Sequence, residues 1–315
     1  MPRVTILGTG FVGTSLGLAL KAHRPDLEIV GHDREYARAG EAKKMGAIDR
    51  ADWNIPSALE GAGLVIIATP LAALERLLGQ IGEFLQPGCV VTDTASLKEP
   101  VLRWADLHLR GRANYVSGNP IVGNVAGDRR PSATIFADRT YCIVPSVHAS
   151  DDAVEQVTRL TVAIGAKPLF LDAAEHDGFV ATVDQLPGLL ASLLMSFASN
   201  GPAWRDGQRL AGPVFGAATS MALDDPADRQ VALLANREAL VRSIQLLQVE
   251  LGEVARLVES GSVAPLQKLL DEARDHRAAW QPGVGPVMED PATDMPRARD
   301  QLSTWFLGGL RGRKR

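Results

Sequence analysis

The sequence predicts a doubly wound α/β domain followed by an all-α helical domain. Two observations carry this prediction: short β-rich runs alternate with helical stretches up to about residue 171, and longer helical patterns replace them afterwards. Several early runs are almost continuously apolar, as in a parallel sheet that helices cover on both faces. A chain of 315 residues also suits two domains better than one. We expect domains at residues 1–172 and 173–280, then a linker and tail at residues 281–315.

Seven short runs are predicted as strands of the sheet. They are Val4–Leu7, Glu28–Gly31, Leu64–Ala68, Cys89–Thr92, Tyr115–Ser117, Tyr141–Val144 and Pro168–Leu171. In the second domain, Asp177 is predicted to cap a long helix that runs through Ala198, and residues 224–251 and 263–280 are predicted as amphipathic helices. The first of these two carries an apolar stripe formed by Leu240, Ile244, Leu247 and Leu251. Such a stripe is typical of a core or of a subunit contact.

Composition and charge exclude several classes of protein. With 46% hydrophobic and 22% charged residues, the chain is typical of globular proteins and not of disordered ones. Apolar runs such as residues 186–195 are shorter than the roughly 20 residues that cross a bilayer, so no membrane span is expected. A net charge of −4 gives no general attraction for nucleic acid, and no leader precedes the first strand, so we expect a cytoplasmic protein. Cys89 and Cys142 lie in apolar runs and are predicted to be buried thiols, and no metal site is expected.

A glycine-rich turn follows the first predicted strand and begins a helix. It reads Gly8-Thr9-Gly10-Phe11-Val12-Gly13. In this pattern the first glycine permits a tight turn, the second lets a pyrophosphate approach the backbone, and the third permits close packing of helix on strand. The sequence therefore predicts a Rossmann-type domain whose turn binds a dinucleotide.

Asp33 ends the next predicted strand, about 20 residues beyond the last glycine, where an acid binds the ribose hydroxyls of an adenosine. A carboxylate there repels a 2′-phosphate, which favours NAD over NADP. The neighbouring Arg34 and His32 leave the other preference open, because basic side chains can hold a 2′-phosphate. Thr69 and Pro70 lie just past another strand end and are predicted to line the same cofactor site.

Further motifs occur in a fixed order between Val4 and roughly Arg277. They are Ile67-Ala68-Thr69-Pro70, Thr92-Asp93-Thr94-Ala95-Ser96-Leu97-Lys98, Gly118-Asn119-Pro120-Ile121-Val122-Gly123, His176-Asp177, Leu186-Pro187 and Trp204-Arg205-Asp206-Gly207-Gln208-Arg209-Leu210-Ala211. Their order resembles that of the prephenate and arogenate dehydrogenase family. The resemblance implies an NAD-dependent oxidative decarboxylation of a small carboxylate substrate, in which a hydroxyl-bearing ring carbon loses hydride while CO2 leaves. It also implies a homodimer made through the helical domain.

Several side chains in these motifs are candidates for substrate contacts. Two roles are open for Ser96: it hydrogen-bonds the substrate hydroxyl, or it caps the following helix. Lys98 either neutralises a substrate carboxylate or is a solvated lysine at a helix start. Arg205 and Arg209 share one face if their segment is helical, and a planar guanidinium suits a carboxylate. Arg209 matches the carboxylate-binding arginine of the family, and an ion pair with Asp206 is the alternative.

Three histidines of the family pattern are missing. The family has the histidine that takes the hydroxyl proton where this chain has Asn119, and its Ser-His-Leu-Pro-His motif reads Asp184-Gln185-Leu186-Pro187-Gly188 here. Asn119 and Gln185 cannot take up a proton at pH 7, so we expect them to orient the substrate. Asp184 is the nearby side chain that can act as a base, with a surface carboxylate as the alternative. His176 remains in a family motif, and we expect it to be structural.

Two functions of different classes follow from these residues. The leading hypothesis is an NAD-dependent oxidoreductase of the prephenate dehydrogenase type, acting in tyrosine biosynthesis on prephenate, arogenate or another cyclic hydroxy acid. The second is a catalytically silent dinucleotide-binding protein that regulates a partner. A general 3-hydroxyacid dehydrogenase is a weaker third hypothesis, because the catalytic lysine of that group cannot be placed on a helix here.

Overall fold

The computed structural model describes residues 3–122 and 130–280, so the predicted linker and tail at residues 281–315 lie outside it. The strands are β1 (Arg3–Leu7), β2 (Glu28–His32), β3 (Arg50–Ala51), β4 (Ala62–Ile67), β5 (Val90–Asp93), β6 (Asn114–Pro120), β7 (Thr140–Pro145) and β8 (Lys167–Phe170). They form one sheet in the order β3-β2-β1-β4-β5-β6-β7-β8. Every pairing is parallel except that of β6 with β7. This confirms the predicted doubly wound sheet.

Six helices cover the two faces of the sheet. They are α1 (Phe11–His23), α2 (Tyr36–Lys44), α3 (Ile55–Leu59), α4 (Leu71–Ile81), α5 (Glu99–Leu109) and α6 (Asp151–Ala163). Successive strand residues point to opposite faces, so Ile6 packs into the core under α1 and α6, and Leu7 into the core under α4 and α5. Both side chains are fully buried, which explains why the parallel strands read as continuous apolar runs.

All of the predicted strands are confirmed in position, and β3 was missed. It has only two residues, Arg50 and Ala51, and neither belongs to an apolar run that a pattern could detect. Cys89 and Cys142 are buried, as predicted. Burial raises the pKa of each thiol to about 11, so neither is a thiolate at neutral pH. Within the described residues, no group of three or more His, Cys, Asp or Glu side chains could hold a metal ion.

The second half of the chain is helical. Its helices are α7 (Ala173–Val180), α8 (Leu186–Ser199), α9 (Trp204–Gly207), α10 (Pro213–Ala218), α11 (Pro226–Ala235), α12 (Arg237–Glu259) and α13 (Val263–Ala279). A π-helical turn, Ala181–Gln185, joins α7 to α8 without a break. Two predictions were wrong here. Asp172, not Asp177, caps the long helix by accepting from the Glu175 N–H, and the predicted helix at 224–251 is broken at Asn236.

The continuous helix Ala173–Ser199 is long and apolar enough to cross a membrane by length and composition alone. It has 27 residues, and an 18-residue window within it has a mean hydropathy of 1.4, with 28% of that window buried. The prediction from run length did not anticipate it, because short apolar runs on either side of the π-helical turn join into one helix. A long apolar helix with an uncovered face is equally typical of a subunit interface.

The uncovered face of α8 borders a groove of about 570 Å³. It is lined by Pro187, Leu190, Ala191, Leu193, Leu194, Phe197 and Ala218. Phe197 is 83% exposed, although aromatic side chains of this size normally bury most of their area. The predicted stripe on α12 is also incompletely covered, since Leu240 is buried and Leu251 is 56% exposed. The helical domain therefore presents apolar surface that the described residues, 3–122 and 130–280, do not cover.

Candidate active site

The glycine turn has the geometry that its sequence predicts. Gly8 has φ +96°, and a Cβ there would lie 2.5 Å from the Ala68 carbonyl oxygen. A Cβ on Gly13 would lie 1.9 Å from the Gly8 carbonyl oxygen, so helix and turn pack too closely for any side chain. Among the described residues, nothing lies within 4 Å of a Cβ on Gly10. The space in front of Gly10 is therefore open for a ligand to approach the backbone.

The N-terminus of α1 faces this open space. No side chain caps the helix, and its first turn, which begins with Phe11 and Val12, contains no acidic residue. The first backbone N–H groups of a helix have no partner within the helix, and the helix dipole favours an anion beside them. These features fit a dinucleotide pyrophosphate.

Asp33 joins the end of β2 to the glycine turn. Its Oδ2 accepts hydrogen bonds from the Thr9 backbone N–H at 2.8 Å and from the Thr9 hydroxyl at 3.3 Å, and its Oδ1 accepts from the Glu35 N–H at 2.9 Å. The carboxylate remains partly exposed beside the turn. His32 points elsewhere, since its Nδ1 contacts the Asp52 carbonyl oxygen at 3.0 Å. Arg34 is exposed and pairs with no acid in the described part of the chain.

Thr69 follows β4 and lies against the glycine turn. Its Cγ2 is 3.0 Å from the position of a Gly8 Cβ, and its buried hydroxyl oxygen has no hydrogen-bond partner in the described structure. Pro70 occupies the N-cap position of α4. Most buried hydroxyls have a hydrogen-bond partner, so an unpartnered one beside an open turn is a candidate ligand contact. The residues at this edge therefore fit the predicted cofactor.

Lys98 is fully buried, which corrects both roles that the sequence left open for it. Its ammonium group donates to the Asp93 carboxylate at 2.8 Å, to the Ser117 hydroxyl at 2.9 Å and to the Gly118 carbonyl oxygen at 2.6 Å. Ser117 also donates to Asp93, at 2.5 Å. All three ammonium protons are used, so Lys98 has none left for a substrate carboxylate, and it is not solvated.

Asp93 is the acceptor at the centre of this buried network. It also accepts from the Ala95 N–H at 2.8 Å and from the Tyr115 hydroxyl at 2.8 Å. Burial and the neighbouring carboxylate raise the pKa of Tyr115 well above its ordinary value. The Ala95 N–H that Asp93 accepts belongs to the residue before Ser96. The Gly118 carbonyl that Lys98 binds belongs to the residue before Asn119. The network therefore fixes the backbone next to both predicted site residues.

Ser96 and Asn119 both lie at the carboxyl edge of the sheet. The parallel register of β5 and β6 pairs Val91 with Tyr115, and extending it places Asn119 level with the residue before Ser96. Ser96 does not cap α5, because Asp177 accepts the Lys98 and Glu99 N–H groups at 2.8 and 2.9 Å. Among the described residues the Ser96 hydroxyl has no partner, and its side chain is partly exposed. It remains free to bind a substrate.

Asn119 is held by a buried histidine and aspartate pair. The His176 Nδ1 lies 2.8 Å from the Asp177 carboxylate, and the His176 Nε2 lies 3.1 Å from the Asn119 amide nitrogen. Since the carboxylate accepts the Nδ1 proton, Nε2 accepts from the amide. The side-chain carbonyl of Asn119 is then the atom left for a ligand. His176 thus holds Asn119 in place, which is a structural role.

Gln185 is buried with both of its polar atoms hydrogen-bonded inside the protein, which argues against its predicted role in orienting a substrate. Its side chain is buried, donates to the Ala232 carbonyl oxygen at 2.9 Å and accepts from the Asn236 amide at 2.9 Å. Both polar atoms therefore join the π-helical turn to the junction of α11 and α12. A π-helical turn often marks a functional segment. In this one the side chain of Gln185 is buried, whereas that of its neighbour Asp184 is exposed.

Asp184 has a perturbed carboxyl group. Desolvation by the surrounding protein raises its pKa, the neighbouring Asp224 acts in the same direction, and Arg229 acts in the opposite one. The acid is exposed at the surface of the π-helical turn, so solvent moderates this effect. Its charged neighbours belong to the segment around α11, and no described contact joins it to Ser96 or Asn119.

Arg229 fills the place of the last histidine that the chain lacks. A Cβ on Gly188 would lie 1.8 Å from an Arg229 guanidinium nitrogen. Arg229 is held there by an ion pair with Asp224. A histidine at position 188 therefore cannot fit unless Arg229 moves, so this loss is accompanied by a change in packing.

Arg205 and Arg209 are exposed in the helical domain. The helix α9 ends at Gly207, so the two residues do not share one helical face as the spacing allowed. Neither guanidinium pairs with an acid among the described residues, which excludes the alternative pairing with Asp206 there. Both remain available to a carboxylate, although no described contact places them beside Ser96.

Three residues of the site were missed by the sequence reasoning. Asp93 was quoted only as part of a motif, Asp177 was assigned as the cap of the wrong helix, and Arg229 was not singled out. A signal existed for Asp93: a lysine within an apolar helix start requires a buried acid if it is not solvated. The contacts of Asp177 and Arg229 join distant parts of the chain, and no local pattern reports them.

Two family models match this chain. "Prephenate dehydrogenase, nucleotide-binding domain" matches residues 16–169, and "Prephenate dehydrogenase, dimerization domain" matches residues 172–272. The prephenate dehydrogenase of Bacillus subtilis is 28% identical over 303 residues, which cover 93% of this chain and 81% of that protein.

Solved structures agree on the fold. The prephenate dehydrogenase from A. aeolicus, in complex with hydroxyphenyl propionate and NAD+, has a TM-score of 0.82 at 22% identity, over 89% of this chain and 98% of that one. The arogenate dehydrogenase of Synechocystis has a TM-score of 0.75 at 21% identity, over 89% of this chain and all of that one (100%). Together, the family models cover most of the described chain in the order that the motifs predicted. The chain belongs to the prephenate dehydrogenase family.

Proposed function

We propose that this chain is a cytoplasmic NAD-dependent dehydrogenase that oxidatively decarboxylates prephenate, arogenate or a closely similar cyclic hydroxy acid, as in tyrosine biosynthesis. One observation carries the proposal: the open glycine turn and the free Ser96 hydroxyl lie at the same carboxyl edge of the sheet, where α/β sheets bind ligands. The curated relative from Bacillus subtilis is a prephenate dehydrogenase, which supports the same reaction.

The cofactor site belongs to the first domain, which we place at residues 1–172. We assign the pyrophosphate to the first turn of α1 and the adenosine ribose to Asp33. The unpartnered Thr69 hydroxyl then lies on the side of the turn that faces the substrate edge. When bound, NAD supplies the hydride acceptor. Asp33 favours NAD over NADP, because its carboxylate would repel the 2′-phosphate of NADP.

Substrate recognition needs one hydroxyl partner and one carboxylate partner. Ser96 and the side-chain carbonyl of Asn119 are the groups that we assign to the substrate hydroxyl. Arg209 is the assigned carboxylate partner, with Arg205 as a second, because both guanidiniums are exposed and unpaired in the described structure. Neither Ser96 nor Asn119 takes up a proton at neutral pH. The hydroxyl proton must pass to water or to Asp184, whose raised pKa suits a base better than an ordinary aspartate.

We propose a homodimer formed through the second domain, residues 173–280. The family model that matches this part describes a dimerization domain. The uncovered apolar face of α8, with Phe197 at its centre, is the surface that a second copy would bury. A subunit interface also explains the long apolar helix Ala173–Ser199. None of the other described helices is as long and as apolar.

A catalytically silent NAD-binding protein is the second candidate. The observation that favours it is the buried Asn119 amide hydrogen-bonded to His176, at the position where the family has a proton-accepting histidine. The packing of Arg229 against Gly188 also supports a silent protein, because Arg229 fills the space that a histidine side chain at position 188 would need.

One assay separates the two candidates. The full-length protein is mixed with NAD and with prephenate, arogenate or a panel of cyclic hydroxy acids, and NADH formation is followed by absorbance. Turnover of any of them supports an enzyme, and tight NAD binding without turnover supports the silent protein. Gly13→Ala should abolish NAD binding, because its Cβ overlaps the Gly8 carbonyl. Gly40→Ala is the matched control, since no described residue lies within 4 Å of its Cβ.

A further inference from the structure

Trp53 is a large aromatic side chain held in solvent at the edge of the sheet that carries the glycine turn. It is 75% exposed. Tryptophan buries most of its ring in folded proteins, and exposed rings are enriched where a partner or ligand covers them. Nothing in the proposed site uses this residue so far, and its position beside the cofactor edge needs an explanation.

The strand register places Trp53 beside Asp33. β2 and β3 are parallel, Gly31 is level with Ala51, and the Asp52 N–H donates to the Gly31 carbonyl oxygen at 2.8 Å. Extending this register by two residues puts Trp53 level with Asp33. Neighbouring strands are about 4.8 Å apart, so the backbone of Trp53 lies about one strand spacing from the backbone of Asp33.

The backbone that carries Trp53 is fixed on both sides. The Asp52 carboxylate accepts from the Asn54 N–H at 3.0 Å, which closes a turn across Trp53, and from the Ser57 hydroxyl at 2.7 Å. The Asp52 carbonyl oxygen contacts the His32 Nδ1 at 3.0 Å. The exposed indole therefore stands on a rigid turn, and a preorganised group loses little conformational entropy when it binds a ligand.

We propose that Trp53 is the stacking platform for the adenine ring of the bound dinucleotide. The inference rests on the proposed function, because it needs a dinucleotide on the glycine turn. From β1 outward, the edge then offers the N-terminus of α1 to the pyrophosphate, Asp33 directly after β2 to the ribose and Trp53 just beyond β3 to the base. Stacking on an aromatic ring needs only the π-face of a base, so this contact requires no further hydrogen-bonding group.

The test measures binding and not activity. Calorimetry on the full-length protein compares AMP, NAD and nicotinamide mononucleotide, which lacks adenine. Trp53→Ala should weaken AMP binding about 5- to 150-fold and leave nicotinamide mononucleotide unchanged, and Trp53→Phe should keep most of the affinity. Trp280→Ala is the matched control, because this exposed tryptophan stacks under the Arg277 guanidinium in the second domain.

The outcomes separate this inference from the proposed function. If the parent binds NAD and Trp53→Ala binds AMP as tightly as the parent, the stacking role is overturned and the enzyme assignment stands. If the parent binds neither NAD nor AMP, the proposed function fails and the inference fails with it. A Trp53→Ala protein that binds AMP normally but loses its dimeric mass would assign the indole to a subunit contact instead.

Discussion

Replacing Lys98 by methionine isolates the energetic role of the buried network. The change keeps the length of the side chain and removes its charge, so the fully buried Asp93 carboxylate loses its counterion. Breaking a buried ion pair by removing one partner costs about 3–5 kcal/mol. Three donors stay on Asp93: the Ala95 N–H and the Tyr115 and Ser117 hydroxyls. We therefore expect Lys98→Met to lower the free energy of unfolding by about 3 kcal/mol, near the lower end of that range.

The assay is urea unfolding followed by far-ultraviolet circular dichroism. Lys21→Met is the matched control, because Lys21 forms a partly exposed pair with Asp49 at 2.6 Å and should cost about 1 kcal/mol or less. The double variant Lys98→Met, Asp93→Asn should recover part of the loss, since neither remaining side chain is charged. Equal losses for Lys98→Met and Lys21→Met would refute the argument, and so would a double variant less stable than Lys98→Met alone.

Three further predictions concern the cofactor, the assembly and the proton. Calorimetry should show tighter binding of NAD than of NADP, and Asp33→Ala should narrow the gap; tighter NADP binding to the parent contradicts the assignment. Phe197→Asp should convert a dimer to monomers in sedimentation velocity, because it places a charge on the uncovered face of α8; an unchanged mass places the interface elsewhere. Asn119→His should raise turnover on prephenate, with up to roughly 2–5 kcal/mol of general-base catalysis at stake, whereas Gly188→His should not, because Arg229 fills that space. No gain from Asn119→His, with another substrate oxidised well, would mean that the site serves different chemistry.

Local patterns were sufficient for most of the fold. The strands were predicted because β-branched and aliphatic residues occur in short runs between helical stretches, and burial on both faces leaves such runs uninterrupted. The glycine turn was also predictable, since each glycine answers a local steric demand. The sequence did not predict β3, because its two residues form no hydrophobic pattern. It did not predict the helix break at Asn236, because the apolar spacing continues across that residue.

The side-chain contacts of the site were less predictable. Lys98 looked like a helix-start lysine, and only the fold brings Ser117 and the Gly118 carbonyl to its ammonium group. Asp177 looked like a helix cap, and it is one, but for a helix 78 residues earlier in the chain. Charges and capping groups are visible in a sequence, whereas their partners depend on which distant segments the topology brings together.

The capping of α5 by Asp177 also restricts how the two domains can move. The carboxylate that closes the first turn of a helix in the nucleotide-binding domain belongs to α7 of the second domain, and it holds two backbone N–H groups at once. Separating the domains at this point would leave both groups and a buried carboxylate without partners. We therefore expect this contact, two residues beyond Ser96, to stay closed in any movement between α5 and α7.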